Sequence, residues 1–297
     1  MIYLDHAATT PVAREVADTM YDVLLNGSGN PSSQYPYGAA AKKRLEADRA
    51  VIAAALGCKP DELYFTSCGT ESDNWAIRLA AHQNRRVGKH IITTAVEHSA
   101  VLEPCRQLEQ EGYAVTYLAP DRQGNITAQQ VVDALREDTA LVSVMLVNNE
   151  TGCVFPVGEI ARLLRERGSK ALLHTDAVQA FLKLPFRADT LGADLISVSG
   201  HKLNAPKGVG ALYIGPRCRA VRPLLAALPT WDDETLLASM KELAERLEVK
   251  NAKVMWPVRI AVSGRAVTPG GAVEICRILG RDETLRRIDA GIAKLEG

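Results

Sequence analysis

Ala193-Asp194-Leu195-Ile196-Ser197-Val198-Ser199-Gly200-His201-Lys202-Leu203-Asn204-Ala205-Pro206-Lys207-Gly208-Val209-Gly210 runs from an apolar segment into a glycine- and lysine-rich turn. The segment 193–198 has the length and apolar content of a buried strand. Lys202 follows it directly, between Ser199, His201 and a second short apolar run at 211–214. A lysine presented at a strand end, beside a hydroxyl, an imidazole and turn amides, suits imine chemistry with an aldehyde cofactor whose phosphate the neighbours hold. A solvated loop with a surface lysine is the competing reading of this stretch taken alone.

Working outward, short apolar runs at 63–66, 90–93, 114–118, 141–147, 171–174, 195–198 and 211–214 read as strands. Amphipathic stretches at 71–84, 100–111, 128–136 and 157–167 read as helices between them. Alternation of this kind predicts an α/β fold, a mainly parallel sheet with helices on both faces. Ligands of such sheets sit at the carboxyl ends of the strands. Near Leu225 the alternation stops. Leu228-Pro229-Thr230-Trp231-Asp232-Asp233-Glu234 reads as a linker into a helix capped by Thr230 or Asp232. Leu236, Leu237, Met240, Leu243, Ala244 and Leu247 then recur at helical spacing, and 272–279 and 282–295 are further helical runs. The expected domains are 1–226, the α/β unit, and 227–297, a small helical module.

Composition narrows the function classes. The chain has 297 residues, 47% hydrophobic and 24% charged, enough for a sizeable core. Its formal net charge is zero, so no global pull toward nucleic acid or membrane is expected. No apolar run reaches the length of a membrane span. Met1-Ile2-Tyr3-Leu4-Asp5-His6 lacks the basic and apolar regions of a signal peptide, and six scattered cysteines form no CxxC pair. A cytoplasmic protein with reduced thiols and no metal site is expected.

Other strand ends carry polar groups. Cys68-Gly69-Thr70-Glu71-Ser72 opens a helix, where backbone amides and the Thr70 hydroxyl suit an anion; an ordinary N-cap is the alternative. Asp176, in His174-Thr175-Asp176-Ala177-Val178-Gln179, suits a protonated pyridine nitrogen; a turn aspartate is the alternative. His98 suits stacking and proton transfer, and Asn149 suits a phenolic oxygen. Five strand ends thus supply the parts one cofactor needs.

These stretches, together with Tyr3-Leu4-Asp5-His6-Ala7-Ala8-Thr9-Thr10-Pro11, Gly29-Asn30-Pro31-Ser32-Ser33, Phe65-Thr66-Ser67-Cys68-Gly69-Thr70-Glu71-Ser72-Asp73-Asn74, Glu97-His98 and Val147-Asn148-Asn149-Glu150-Thr151-Gly152, occur in fixed order. In them, residues 1 to about 225 resemble the large domain of cysteine desulfurases, fold-type I pyridoxal 5'-phosphate enzymes of the class V aminotransferase group. The resemblance implies that Lys202 is the imine lysine, Asp176 the partner of the ring nitrogen and His98 the stacking histidine. It implies Asn149 and Gln179 as ligands of the phenolic oxygen, and Gly69, Thr70, Ser199 and His201 as phosphate ligands. Lys202, His98 and Asp176 are the expected catalytic groups, L-cysteine the expected substrate and a homodimer the expected assembly. Tyr35 stands where the family has histidine, and Cys68 where it usually has glycine.

In that family a smaller domain follows the strand matching 211–214. It carries the catalytic cysteine on a mobile loop and an arginine for the substrate carboxylate, and an intervening threonine reaches the partner's phosphate. None of these motifs is found here. Instead Lys253-Val254-Met255-Trp256-Pro257-Val258-Arg259, Ser263-Gly264-Arg265-Ala266-Val267-Thr268-Pro269-Gly270 and Leu279-Gly280-Arg281-Asp282-Glu283-Thr284-Leu285-Arg286-Arg287-Ile288 resemble the C-terminal lobe of the anticodon-binding region of bacterial glutamyl-tRNA synthetase. Residues 228–297 carry four lysines and seven arginines against eleven acids, so any tRNA contact must come from local groups. Three functions are expected to compete. They are a cysteine desulfurase-like enzyme with weak turnover, a cofactor enzyme of altered chemistry, and a non-catalytic protein that docks tRNA or a protein through its tail.

Overall fold

The computed structural model describes residues 2–27, 29–218, 232–246, 254–255, 258 and 271–295. The chain divides into two compact units, Met1–Gly215 and Pro216–Gly297. The expected boundary at 226/227 lies outside the described residues.

The first unit is built on a seven-stranded sheet. Its strands are β1 (Leu63–Thr66), β2 (His90–Thr94), β3 (Ala114–Leu118), β4 (Thr139–Ser143), β5 (Leu172–Asp176), β6 (Leu195–Ser199) and β7 (Gly210–Ile214). They lie in the order β1-β7-β6-β5-β4-β2-β3. Only β7 runs antiparallel to its neighbours, so the other six strands end on one edge of the sheet. The central strands are buried throughout, which is why they read as near-continuous apolar runs.

Helices cover both faces. The helices are α1 (Arg14–Asn26), α2 (Pro36–Leu56), α3 (Gly69–Gln83), α4 (Ser99–Gln110), α5 (Ala128–Asp133), α6 (Val157–Glu166) and the short α7 (Ala188–Leu191). On one face Leu56 of α2, Val131 of α5 and Ile160 of α6 cluster with Ile92, Val142, Leu173 and Ile196 of the sheet. On the other, α3 buries Ser72, Asp73, Ala76, Ile77, Ala80 and Ala81, a stripe at helical spacing. Its alanines let the helix lie close to the strands. The approach is closest at its start: a Cβ on Gly69 would meet Val178 Cγ2 at 2.9 Å.

The run expected as one strand over 141–147 leaves the ladder after Ser143. The Val144 and Leu146 amides still donate to the carbonyls of His174 and Asp176, and Val147 then bridges Val154. The run stays apolar because Val144, Met145 and Leu146 are buried, while its backbone bends to carry Asn149 over the strand-end edge. Helices α1 and α2 precede the alternation and were not anticipated from it. No helix of the described residues is long and apolar enough to cross a membrane.

In the second unit helix Asp233–Arg246 is capped by Asp232, whose Oδ1 accepts the Thr235 amide at 2.8 Å. Thr230, the other expected cap, lies outside the described residues. Helix Ala272–Leu295 is broken at Gly280 (φ 73°, ψ 172°), a backbone state that favours glycine, so the two expected runs are two helical pieces. Leu236, Met240, Leu243, Val254, Val258, Cys276 and Ile288 form this unit's own core.

Candidate active site

At the carboxyl edge of the sheet lies a cavity of about 430 Å³, within the usual range for small-molecule sites. Gly69, Thr70, His98, Asn149, Asp176, Gln179, Ser199, His201 and Lys202 all line it, so every site residue expected from the sequence faces one space. They arrive from the ends of β1, β2, β4, β5 and β6.

Part of the lining is rich in hydrogen-bond donors, where the start of α3 meets Ser199. Helix α3 starts there, and its first-turn amides at Gly69 and Thr70 have no partner within the helix. The Ser199 Oγ is buried with no hydrogen-bond partner among the described residues. His201 and Lys202 line the cavity as well. The Lys202 ammonium donates to the carbonyls of Ala7 and Ala8. Burial, and then the nearby Lys183, hold its pKa below the ordinary lysine value against the pull of Asp176 and Asp5. A lysine so placed is more easily the free amine, the nucleophilic form.

The N-terminal segment is tied to the turn that carries Lys202 and to Gln179. The His201 carbonyl accepts from the Thr10 amide and hydroxyl, both at 2.9 Å. Asn204 donates through its amide to Thr10 Oγ1 at 2.7 Å and through its side chain to the Pro11 carbonyl at 2.9 Å. Gln179 Nε2 donates to the Ala7 carbonyl at 2.8 Å. Leu182 and Asn204 are the described non-glycine residues with positive φ, and Asn204 closes the turn after Lys202.

The lining also includes two buried acids, Asp73 and Asp176. Asp176 is buried and accepts the Val178 amide at 2.8 Å. Burial, and then Asp73, push its pKa up to about 7. Asp73 is buried too, and burial pushes it up to about 7. His98 caps α4: its Nδ1 accepts the Ala100 amide at 3.1 Å, which leaves the proton of the neutral ring on Nε2.

Two buried braces hold the loops that carry His98 and Asn149. Glu97 accepts the Thr94 hydroxyl at 2.8 Å and the Met145 amide at 2.9 Å. Asn148 donates to the Val96 carbonyl at 2.9 Å and accepts the amides of Glu150 and Thr151. Burial pushes the Glu97 pKa up to about 8.

Asp73, Glu97 and Asn148 were not singled out as site groups from the sequence. Asp73 carried a signal, an acid inside the apolar stripe Ala76–Ile77–Ala80 of α3. The partners of Glu97 and Asn148 are distant in sequence, so nothing local marks them.

These raised acids set a pH dependence. In the fold they keep protons that the unfolded chain, with carboxyl pKa values near about 4, has already released. The unfolded state then binds fewer protons, and stability falls as pH rises toward 7–8 and levels off above. His174 works the other way, because burial holds it down to about 4 while an unfolded histidine, with a pKa of about 6.5, still carries protons, so the comparison is made between about pH 7.5 and 8.5, where an unfolded histidine is largely neutral. Urea unfolding of the cofactor-free chain is expected to give lower stability at the upper pH than at the lower. A rise would contradict the assignment of neutral buried acids.

A family model described as aminotransferase class-V matches residues 2–230, and one described as anticodon binding domain matches residues 213–292. Cysteine desulfurase 2 of Trichormus variabilis is 49% identical over 227 residues, 76% of this chain and 56% of that protein. A solved structure described as SspA in complex with cysteine superposes with a TM-score of 0.69 at 40% identity, over 75% of this chain and 62% of that one. A NifS-like protein does so with a TM-score of 0.70 at 26% identity, over 99% of this chain and 98% of that one. The chain spans about half the length of the curated relatives it matches.

Proposed function

Because the chain belongs to the class-V aminotransferase family, we propose that it binds pyridoxal 5'-phosphate through Lys202 and takes L-cysteine as substrate. The observation that carries this reading is that all nine expected residues line a single cavity. Helix amides at Gly69 and Thr70 and the neighbouring Ser199 hydroxyl, unpaired among the described residues, line it together with two buried acids, Asp73 and Asp176. That set of groups suits a ligand that carries both a phosphate and a protonatable ring nitrogen. The cysteine in the cysteine complex of a 40%-identical neighbour supports the substrate class.

When bound, the cofactor supplies an electron sink for bonds breaking at the substrate Cα. The chain's own residues do the rest. Gly69, Thr70, Ser199 and His201 hold the phosphate. Lys202 gives up the Ala7 and Ala8 carbonyls and supplies the amine that ties the cofactor down. Asp176 keeps the proton on the ring nitrogen. Asn149 and Gln179 hold the phenolic oxygen. His98, with its proton on Nε2, carries protons at the substrate carbon.

The test is the absorbance spectrum of the purified chain loaded with pyridoxal 5'-phosphate. A band above 380 nm that borohydride abolishes and that L-cysteine perturbs at millimolar concentration, with L-serine as control, is expected. A loaded sample without a borohydride-sensitive band would overturn the reading.

A homodimer belongs to the same proposal. Helix α1 buries none of its residues among the described ones and leaves Met20, Tyr21, Leu24 and Leu25 exposed. Sedimentation equilibrium should give twice the mass of one chain, and a monomer at every loading concentration would contradict it. The setting we propose is cytoplasmic, which the six free thiols support.

A second reading is favoured by the anticodon-binding match over 213–292. On it the tail, similar to the lobe of glutamyl-tRNA synthetase, brings the protein to tRNA. The tail has no net charge, so contacts are local, weak and strongly salt-dependent. Filter binding to glutamate tRNA that fades with moderate salt and exceeds binding to an unrelated tRNA is expected. Equal retention of both tRNAs, or none at low salt, would leave the tail as a packing or protein-docking lobe.

A further inference from the structure

The sheet face under α3 is polar where it reaches the cavity. By register Ser143 of β4 pairs with His174 of β5, and Asp176 of β5 pairs with Ser197 of β6. His174 is fully buried, with Ser143 Oγ 2.9 Å from Nδ1 and Ser197 Oγ 3.0 Å from Nε2. Asp73, from α3 above, brings Oδ1 to 3.5 Å of the same Nε2. This is not an ion pair at neutral pH, because burial holds the His174 pKa down to about 4. Asp73 Oδ1 therefore stands buried at the cavity wall with no hydrogen-bond partner among the described residues.

Such a group is costly to the fold. A buried carboxyl held by the Ser197 side chain alone, with one oxygen unpaired among the described residues, gives up more hydration than it recovers, and an apolar residue in the stripe of Ala76 and Ile77 would avoid that cost. Its neighbours explain how it survives. Of the titratable groups around it, Asp176 and His174 come from β5, Glu97 and His98 from the loop after β2, and Lys202 from the turn after β6. Both acids line the one cavity; burial raises Asp73, and Asp73 in turn adds to the burial that raises Asp176. The pair keeps proton where two isolated surface aspartates would keep none.

We propose that Asp73 is a second acid of the ring-nitrogen end of the cavity: it shares a proton with Asp176 while the cavity is empty, and the pair gives that proton to water when a protonated ring nitrogen binds. No bond is made or broken except this O–H, and the incoming N–H replaces its positive charge. Cofactor uptake is then coupled to pH through Asp73, a positioning residue that acts on the ring by way of Asp176. This inference rests on the cofactor reading above.

The test uses the full chain and pyridoxine 5'-phosphate, which has no aldehyde and so cannot react with Lys202. Calorimetry in two buffers of different ionisation enthalpy, at about pH 7.5 where the phosphate is already a dianion, counts protons released on binding. The wild type should release a substantial fraction of a proton. Asp73→Asn should release clearly less, and the pH midpoint of its affinity should move down by about a unit as Asp176 loses its like-charged neighbour. A side chain that only packs would weaken binding equally at every pH and leave midpoint and proton count alone, and that result would overturn the inference. Wild-type binding with no proton release would overturn it without any variant, should Asp73→Asn fail to fold. If the wild type binds no pyridoxine 5'-phosphate at any pH, the cofactor reading falls and this inference with it.

Discussion

Replacing Lys202 with alanine is expected to abolish the borohydride-sensitive absorbance of the loaded protein completely, while leaving the cavity able to hold the cofactor loosely. Lys202 is the lysine of the cavity lining, and burial and Lys183 both weaken its hold on a proton. Its present partners are two backbone carbonyls, which cost little to surrender because water and neighbouring amides can take them over. The phosphate-holding groups do not depend on its side chain, so equilibrium dialysis should still find cofactor bound to Lys202→Ala with a markedly larger Kd. Lys183, itself held below the ordinary lysine value by burial, is the amine most able to substitute. It is tied to Gln179 Oε1 at 3.2 Å, and Lys183→Ala should keep the band. Persistence of an unchanged band in Lys202→Ala would move the assignment to another lysine.

The second large effect concerns sulfur. Releasing sulfide from L-cysteine needs a thiolate held at the reacting sulfur, and such positioning is worth about 7–11 kcal/mol, or about 10⁵ to 10⁸ in rate. Few cysteines of this chain can serve. Burial pushes the Cys58 and Cys105 thiols up to about 12 and Cys276 up to about 11, so thiolate is scarce at all three. Cys218 is buried. Among the described residues Cys68 alone lines the cavity, at the start of α3 beside Gly69 and Thr70, the residues proposed to hold the phosphate. Sulfide and alanine release by this chain are therefore expected to be slower by about five orders of magnitude or more than with a positioned thiolate. Robust turnover that survives Cys68→Ser would sink this expectation. Turnover that disappears with Cys68→Ser would make Cys68 the sulfur acceptor.

Much of this was legible in the sequence because the chemistry sits at strand ends. Apolar strands such as 195–198 announce themselves by burial on both faces, and the polar residue that follows each one is carried to a common edge by parallel alternation. That is how Asp176, His98 and Lys202 were readable as one site before any fold was known. The loop bearing Asn149 was harder, because its apolar approach run looks like strand beyond Ser143. Periodicity cannot separate a strand from a buried, bent segment that still donates amides to its neighbour. Helices α1 and α2 were missed for opposite reasons. The first exposes its apolar face, and the second is an alanine-rich run with little contrast between its sides. Asp73, Glu97 and Asn148 act through partners on other elements, which no local pattern encodes.

The central claim is that Lys202 carries pyridoxal 5'-phosphate. Borohydride reduction of the loaded protein followed by tryptic digestion and mass spectrometry tests it most directly. The reduced linkage blocks cleavage at the modified lysine, so the account predicts a pyridoxyl group on Lys202 within a peptide spanning 188–207, and on no other lysine in comparable yield. A pyridoxyl group found instead on Lys183 or Lys207, or no modified peptide from a protein shown to be folded, would contradict it.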